Sequence, residues 1–393
     1  MLSFDVELYL AGKVKEKMKY LYMDIYEKFK CIGGSCPDSC CVGWNIPLNR
    51  ETIEQYEKMQ SPYRDKVLEN IECTGERYRI KMGETGRCPF LNEQNLCNIY
   101  IHISPEAMFP VCQTYPRKIK NYYDTIILTL FLSCPEVCRM LLERKDYIHW
   151  EYAEDDRTAA VISPDWQMFN ELINSLIISN KIASNDRFSV RQKAYLLLRM
   201  AELIQGETDA GNIGQIRQKI QEFQEGKYEK YLQELQTNAG TGRWESLYDI
   251  LTTMDSMLAL TKESKEDFRC FQSIKRSENE RYKKYQENYY SRINQVEYTN
   301  LMLTYLLQYY MDSLKEKSIM KNMLKVILTL ILLQNYEMLE FNLEGEVSDA
   351  KRIALISHLA RIAENTGIMD VMADRLLENN QSQALYQLID FII

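Results

Sequence analysis

The sequence predicts a mainly α-helical protein, in which an irregular, cysteine-rich metal-binding domain precedes an α-helical bundle domain. Two observations lead to this prediction. Ten of the 11 cysteines and eight of the 9 prolines lie before residue 150, whereas the chain beyond it shows helical periodicity almost to its end. Because proline interrupts helices and strands, the first part is expected to consist of short, turn-rich pieces.

The boundary between the two predicted domains is placed at the acidic stretch 151–157. This division gives a cysteine-rich iron–sulfur or zinc domain over 1–150 and a helical domain over 151–393, which is a candidate for substrate recognition. The chain has 393 residues, of which 46% are hydrophobic, so it is long enough to bury a substantial core.

Helix signals in the second domain are local and specific. Ser163-Pro164-Asp165 has the form of a helix start, and apolar residues follow at helical spacing over 166–176. Ser348 and Asp349 form a second start, before apolar residues at helical spacing over 353–362. Both stretches are therefore predicted to be helices with one buried face.

The intervening segments complete the prediction of a bundle. Glycine-bearing polar stretches at 206–214 and 238–242 are predicted to be loops, and 279–314 is predicted to be one long helical stretch. The most apolar run, 326–333, is shorter than the roughly 20 residues that span a bilayer, so it predicts a buried helix rather than a membrane segment.

Charge and targeting signals exclude several classes of protein. The formal net charge is −8, with 48 Lys+Arg against 56 Asp+Glu, which argues against a nucleic-acid partner because such binding needs a broad cationic surface. Charged residues interrupt the apolar positions of the first 24 residues, so no signal peptide is expected there. The sequence predicts a cytoplasmic protein with no membrane partner.

Cysteine usage is the unusual feature of the composition. Ten of the 11 cysteines lie from Cys31 to Cys138, and only Cys270 lies outside that stretch. A reducing cytoplasm keeps structural disulfides rare, and an odd total fits poorly with a fully paired disulfide framework. The concentration therefore indicates a metal-binding site.

The cysteines form three groups along the chain. The groups are Cys31-Ile-Gly-Gly-Ser-Cys36-Pro-Asp-Ser-Cys40-Cys41, then Cys88, Cys97 and Cys112, and finally Cys134 with Cys138. Thiolates are soft ligands, and sites built only from sulfur select zinc or iron–sulfur centres over magnesium or calcium. Cys73, Cys138 and Cys270 stand apart or are redundant, and each is expected to be a small buried residue rather than a ligand.

Zinc and iron–sulfur remain alternatives at this point. A structural zinc site takes four ligands, commonly from two close pairs, whereas the spacing here is irregular and includes the vicinal pair Cys40-Cys41. Iron–sulfur sites tolerate irregular spacing and often take one cysteine next to proline, as in Cys88-Pro89 and Cys134-Pro135. The pattern favours an iron–sulfur cluster, with zinc as the alternative.

These cysteine segments resemble the flagellin lysine N-methylase family, within the broader group of proteins that share an eight-cysteine zinc- or iron-chelating pattern. The resemblance covers about residues 20–140, where Val42-Gly43-Trp44, Tyr115-Pro116-Arg117 and Ser133-Cys134-Pro135 also match. Matched one by one, the eight pattern cysteines are Cys31, Cys36, Cys40, Cys41, Cys88, Cys97, Cys112 and Cys134.

The resemblance implies methyl transfer to lysine ε-amines of flagellin, with S-adenosylmethionine as donor and a 4Fe–4S cluster as the metal centre. One such cluster takes four thiolates, so a subset of four among the eight cysteines is expected to ligate it. Arg117 is a candidate to bind the carboxylate of the donor through its bidentate guanidinium. No glycine-rich loop follows a clear strand, so no donor site of the Rossmann type is predicted.

Methylation of lysine requires a neutral amine, whereas free lysine titrates near pH ~10.4. Desolvation of the ammonium or a neighbouring base supplies that condition, and aromatic faces hold methylated ammonium groups. Tyr100, Tyr115, Tyr122 and Tyr123 lie near the cysteine segments and are candidates for this role, although 27 tyrosines in the chain make nearby ones common. The competing hypothesis is a non-enzymatic zinc- or iron-chelating or redox-sensing protein, whose helical domain binds a partner.

Overall fold

The computed structural model describes residues 15–43, 46–75, 77–160, 165–237, 248–249, 252–253, 279–378, 386 and 388–392. All eight pattern cysteines lie within these ranges. Trp44, Ser163, Pro164, Cys270 and the predicted loop 238–242 lie outside the described residues.

The first 160 residues contain strands as well as helices. The strands are β1 (Lys15–Met23), β2 (Pro47–Leu48), β3 (Ile71–Thr74), β4 (Arg77–Ile80), β5 (Arg117–Tyr122), β6 (Thr125–Leu130) and β7 (Trp150–Ala160). One sheet has the order β5-β6-β1-β7, with β1 parallel to β6 and antiparallel to β7, and a smaller antiparallel sheet has the order β2-β4-β3.

The larger sheet follows from apolar alternation in β1 and β6. Leu21 and Met23 of β1 are buried, and Leu21 pairs with the buried Ile127 of β6. Residues two apart on a strand face the same side, so this pattern turns one face of the sheet toward the core. The stretch 151–157, where the sequence places the domain boundary, lies within β7 and pairs with β1.

Helices dominate the chain after β7, which confirms the predicted mainly α fold class with a cysteine-rich region in front. They are α1 (Arg50–Lys58), α2 (Arg64–Glu69), α3 (Asn98–His102), α4 (Pro110–Thr114), α5 (Pro135–Leu142), α6 (Trp166–Ala183), α7 (Val190–Asp209), α8 (Ile213–Gln224), α9 (Glu229–Thr237), α10 (Asn279–Tyr290), α11 (Gln295–Tyr309), α12 (Ser313–Glu316), α13 (Ile319–Glu344), α14 (Asp349–Asn365) and α15 (Ile368–Glu378).

Two helices begin where the sequence signals place them. Helix α6 starts directly after Asp165 and buries Trp166, Phe169 and Leu172. Helix α14 starts after Ser348, whose side chain accepts a hydrogen bond from the backbone N–H of Lys351. The apolar run 326–333 lies inside α13 and is buried, as predicted. Among the described helices, none combines the length and apolar character that a membrane span requires.

Two boundary predictions are wrong. The loop expected over 206–214 is much shorter, because α7 continues through Gly206 to Asp209 and α8 begins at Ile213; a glycine inside a helix costs only about 1 kcal/mol, which tertiary packing offsets. The single helical stretch expected over 279–314 is divided into α10, α11 and α12, because Asn294 caps the start of α11 by accepting from Val296 N–H.

Two hydrophobic cores organise the chain. The larger one joins β1, β6 and α5 to the helices that follow, and it includes Cys134 and Cys138. Cys138 is therefore buried as predicted, whereas the prediction for Cys73 is wrong, because Cys73 is exposed. The smaller core lies within 46–112 and includes Cys88, with Cys41, Cys97 and Cys112 packed against it. The cysteines are thus distributed over both cores, and the sheet packs directly on the helical bundle.

Helix α13 provides a test of which side chains hold the larger core. Leu330→Ala should destabilise the protein by about 2 to 5 kcal/mol, because it removes a fully buried side chain and leaves a cavity. Leu343→Ala, on the same helix but 46% exposed, should change the unfolding free energy by less than about 1 kcal/mol. Denaturant unfolding measures both; equal losses would contradict the assignment of the core.

Candidate metal centre and its junction with the helical domain

The segment from Cys31 to Cys41 is a compact turn held close to a second loop. Gly33 has a φ of +56°, which favours glycine. A Cβ added at Gly34 would lie 2.5 Å from the carbonyl oxygen of Gln94, so only glycine permits this approach. The two glycines therefore bring the first cysteine group against the loop that precedes Cys97.

Backbone pairing brings Cys41 and Cys88 together. Val42 forms an antiparallel bridge with Arg87, and the backbone N–H of Cys88 donates to the carbonyl of Cys41 at 2.8 Å. Leu91 forms a bridge with Cys97, which places Cys97 beside the same loop. Together with Cys112, these cysteines border the smaller core.

We call Cys41, Cys88, Cys97 and Cys112 the four-cysteine set. Burial and the neighbouring thiols of Cys41 and Cys97 raise the pKa of Cys88 to about 12. Burial and the thiols of Cys41, Cys88 and Cys97 likewise raise the pKa of Cys112. Burial and, to a lesser extent, the thiol of Cys41 raise the pKa of Cys97. Each thiol of the set is thus an electrostatic neighbour of the other three.

We call Cys31, Cys36 and Cys134 the three-cysteine set. Cys134 is buried in the larger core at the start of α5, and burial, followed by the thiols of Cys36 and Cys31, raises its pKa to about 11. Cys36 donates from Sγ to the carbonyl of Asp38 at 3.2 Å, whereas Cys31 is exposed. Cys134 is therefore a neighbour of Cys31 and Cys36, although these residues lie about a hundred positions earlier in the chain.

Cys40 lies between the two sets. Its thiol is hydrogen-bonded to that of Cys41, which lowers the pKa of Cys41 and raises the pKa of Cys40. Cys112 of the four-cysteine set and Cys31 of the three-cysteine set both raise the pKa of Cys40 further. The vicinal pair thus joins the two groups of thiols.

The donor chemistry of both sets fits a soft metal or an iron–sulfur cluster. None of the ten described cysteines is in a disulfide, and sulfur ligands of this kind select zinc and iron–sulfur centres. Within the described ranges, no group of three or more histidine, cysteine, aspartate or glutamate side chains stands in a geometry that could hold a metal ion. The thiols are neighbours, and metal binding would require them to draw closer.

Helix α14 contacts the segments that carry Cys36 and Cys134 and so connects them to the helical domain. Arg361 forms an ion pair with Asp38, two residues after Cys36. One turn later, the half-buried carboxylate of Glu364 accepts from the backbone N–H groups of Leu132 at 2.9 Å and Ser133 at 3.1 Å, directly before Cys134. A single helix therefore positions the segments that carry two of the three cysteines.

An aromatic and cationic cluster lies beside this junction. The ammonium of Lys118 lies 5.0 Å from the ring centre of Phe131 and 5.7 Å from that of Tyr309. The ring of Tyr305 stacks on that of Tyr309 at 5.6 Å, and both hydroxyls are buried without a hydrogen-bond partner among the described residues. Burial lowers the pKa of Lys118 to about 8. We call Lys118, Phe131, Tyr305 and Tyr309 the aromatic cluster.

The chemical capacity of this cluster is to hold an amine and to make it easier to deprotonate. Aromatic faces attract ammonium groups, and an apolar site disfavours the charged form. Lys325 also lies over the ring of Tyr309, at 4.9 Å. The environment thus accommodates lysine side chains of the protein itself.

The candidates proposed from the sequence have differing surroundings. Arg117 donates to the carbonyl of Phe29 at 3.2 Å and lies over the rings of Tyr26 and Phe29. Tyr115 bonds to Ser133 Oγ at 3.2 Å, next to Cys134. Tyr100 is exposed and lies in α3, directly after Cys97. The other two have partners away from the cysteines, since Tyr122 bonds to Asp312 and Tyr123 packs on Trp166.

Sequence reasoning missed Lys118, Tyr309, Arg361 and Glu364. Tyr309 and Glu364 fit the helical periodicity of α11 and α14 as ordinary positions, and Lys118 follows the Tyr-Pro-Arg motif without a signature of its own. Their importance arises only from contacts between segments that are far apart in the chain. No local pattern marks them.

Two parts of the chain match known families. Residues 176–389 match the family described as the FliB lysine N-methylase C-terminal domain. Residues 30–151 match a family described as zinc- or iron-chelating, with the pattern name CxxCxxCC. No solved structure matches the chain.

Relatives from Salmonella align with a smaller part of the chain. The flagellar biosynthetic protein FliU of Salmonella muenchen is 29% identical over 124 residues, which are 30% of this chain and 73% of that protein. The lysine-N-methylases of Salmonella typhimurium (strain LT2) and Salmonella choleraesuis are 29% identical over 125 and 124 residues. Each of these alignments covers 30% of this chain and spans 31% of the methylase.

The lowered pKa of Lys118 predicts a change of stability with pH. The folded state releases the Lys118 proton near pH 8, whereas the unfolded chain holds it to about pH 10.4, so the unfolding free energy should rise between these values. Lys118→Met should lose part of this rise. Lys145→Met, at an exposed position, should keep it. The measurement is urea unfolding at several pH values from about 7.5 to 10. If the unfolding free energy of Lys118→Met rises with pH as steeply as that of the unchanged protein, the buried environment of Lys118 is contradicted.

Proposed function

We propose that this chain, which belongs to the family of the FliB lysine N-methylase C-terminal domain, transfers methyl groups to lysine ε-amines of flagellin. The observation that carries the proposal is the family match over residues 176–389, which is more than half of the chain. A metal-chelating cysteine domain over 30–151 precedes it. This combination favours an enzyme over a chelating or redox-sensing protein without catalytic activity.

Flagellin as substrate is supported by the relatives. One of them carries the name of a flagellar biosynthetic protein, and two are named lysine-N-methylases. The proposed methyl donor is S-adenosylmethionine, and Arg117 is the proposed ligand of its carboxylate, through a bidentate guanidinium. The proposed site of action is the cytoplasm, where thiols stay reduced.

The proposed metal group is a 4Fe–4S cluster, with zinc as the alternative. Both fit the soft sulfur donors, and the candidate ligands are the four-cysteine and three-cysteine sets with Cys40. When bound, an iron–sulfur cluster supplies one-electron chemistry, which zinc does not. The protein's own part is to exclude water from Cys88 and Cys134 by burial and to hold Cys134 in place through Glu364.

The aromatic cluster is the proposed binding region for the acceptor lysine. Phe131 and Tyr309 present ring faces to an ammonium group, at the distances that Lys118 now occupies. The same surroundings lower the pKa of Lys118 to about 8, because burial disfavours the charge. An acceptor amine in this region would lose its proton more easily, which is the condition for methylation. Glu364 accepts hydrogen bonds from backbone N–H groups, so its proposed role is to hold the segment before Cys134 against α14.

Methyl transfer can be tested directly. The protein, purified anaerobically, is mixed with S-adenosylmethionine and flagellin, and the flagellin is digested and weighed by mass spectrometry. Lysines should gain methyl groups, and Cys73→Ser should act like the unchanged protein, because Cys73 is an exposed residue outside both cysteine sets. If flagellin gains no methyl group from metal-loaded protein, the proposed activity is wrong.

A ring replacement tests the acceptor site. Tyr309→Leu should raise KM for flagellin about tenfold, because loss of a desolvated cation–π contact costs ~1 to 2 kcal/mol. Tyr290→Leu is the matched control, since Tyr290 is 69% exposed and should leave KM unchanged. Circular dichroism verifies that both variants are folded. Equal KM values for the two folded variants would place the acceptor lysine elsewhere.

A further inference from the structure

We infer that Lys118 is a methylation site of the protein itself: the chain transfers methyl groups from S-adenosylmethionine to the amine that it holds on the rings of Phe131 and Tyr309. The inference rests on the proposed function and deepens it, because it names an acceptor amine within the aromatic cluster. The acceptor is a residue of this chain, so its test does not need flagellin.

Lys118 is held by ring faces alone. Its ammonium lies 5.0 Å from the ring centre of Phe131 and 5.7 Å from that of Tyr309. Among the described residues, its amine has neither an ion pair with a carboxylate nor a hydrogen bond to an acceptor. Aromatic faces attract ammonium groups without using their N–H donors. The nitrogen of Lys118 is therefore not committed to another group of the protein.

The two other lysines beside the cluster are held differently. Lys120 donates hydrogen bonds to the carboxylate of Asp312, and Lys325 donates to that of Asp370 at 2.8 Å. Methylation keeps the charge of a lysine but replaces its N–H donors by methyl groups, so these two lysines would lose hydrogen bonds to a carboxylate. Lys118 has no such bond to lose, and ring faces also hold methylated ammonium groups. The contacts thus single out Lys118 among the three.

The amine of Lys118 is not sealed inside the core. Lys118 and Phe131 are both partly exposed, whereas Tyr305 and Tyr309 form the buried side of the cluster. Lys118 also lies on β5, which is an edge strand of the larger sheet and pairs with β6 on one side only. A donor molecule therefore reaches this side of the cluster from solution.

The surroundings favour the neutral amine that methylation requires. Burial, together with the charges of Lys120 and Lys325, lowers the pKa of Lys118 to about 8, whereas the carboxylates of Asp312 and Glu364 oppose this shift. Free lysine titrates near pH ~10.4. At a given pH below 8, a larger fraction of Lys118 than of a fully exposed lysine is therefore neutral and nucleophilic.

Contacts also connect Lys118 to the cysteine-bearing segment. Tyr115 bonds to Ser133, the residue before Cys134, and its ring stacks on that of Phe131 at 6.3 Å. Phe131 in turn lies under the ammonium of Lys118. The amine thus lies beside the segment to which the proposed function assigns a candidate ligand of the metal group.

The transfer is balanced as a substitution at carbon. The ammonium of Lys118 first releases one proton to solvent. The nitrogen lone pair then forms a bond to the methyl carbon of S-adenosylmethionine, while the carbon–sulfur bond breaks and its electron pair stays on sulfur. The products are the methylated ammonium of Lys118 and S-adenosylhomocysteine, whose sulfur is uncharged. No oxidant or reductant is consumed in this step.

Mass spectrometry of the full chain tests the inference. The anaerobically purified, metal-loaded protein is mixed with S-adenosylmethionine that carries a deuterated methyl group, without flagellin, and is then digested. The deuterated methyl group should appear on Lys118 and not on Lys120, Lys325 or the exposed Lys145. The rate constant should not depend on protein concentration, because the acceptor belongs to the same molecule.

A pair of variants verifies the site. Lys118→Arg keeps a cation over the rings but has no lysine amine, so the intact chain should gain no deuterated methyl group. Lys145→Arg is the matched control and should gain as much as the unchanged protein. Circular dichroism verifies that both are folded. If Lys118→Arg does not fold, the digest of the unchanged protein decides, because it resolves each lysine separately.

A parallel reaction with flagellin separates this inference from the proposed function. Label on flagellin without label on Lys118 would leave the proposed function intact and refute the inference. Label on Lys118 without label on flagellin would support the inference and refute flagellin as substrate. If neither gains a methyl group, both are wrong. A rate constant for Lys118 that rises with protein concentration would show transfer between molecules and would also refute the inference.

Discussion

The half-buried carboxyl group of Glu364 joins the two parts of this chain. It lies in α14 of the helical domain and accepts three hydrogen bonds, from Leu132, Ser133 and the side chain of Gln308. A buried acceptor left without such donors costs about 1 to 3 kcal/mol. The position of Cys134, a member of the three-cysteine set, depends on this contact.

The same contacts between the two parts place the aromatic cluster next to the segment that carries Cys134. Lys118 and Phe131 belong to the strand region that carries Cys134, while Tyr305 and Tyr309 come from α11 of the helical domain. Neither part alone supplies an aromatic site beside the cysteines. The larger core spans both parts, and this packing explains how a cysteine-rich segment and a helical segment act as one catalytic unit in the proposed function.

Local signals made part of this structure predictable. The helices α6 and α14 were identified from caps and apolar spacing, and the metal-binding neighbourhood from the crowding of cysteines, because each signal lies within a few residues. The larger sheet was missed, since β1 pairs with β6 across more than a hundred residues and short alternating runs in a proline-rich region resemble loops. The positions of Tyr309 and Glu364 beside Lys118 and Ser133 could not be predicted either, because they depend on contacts between distant segments.

The central claim is that cysteines of the first part of the chain bind a metal group next to the helical domain. Anomalous diffraction from crystals of anaerobically purified protein, recorded at the iron and zinc edges, locates the metal directly. The account predicts a peak whose ligands come from the eight pattern cysteines. A map of the purified protein with no peak beside these cysteines would contradict it.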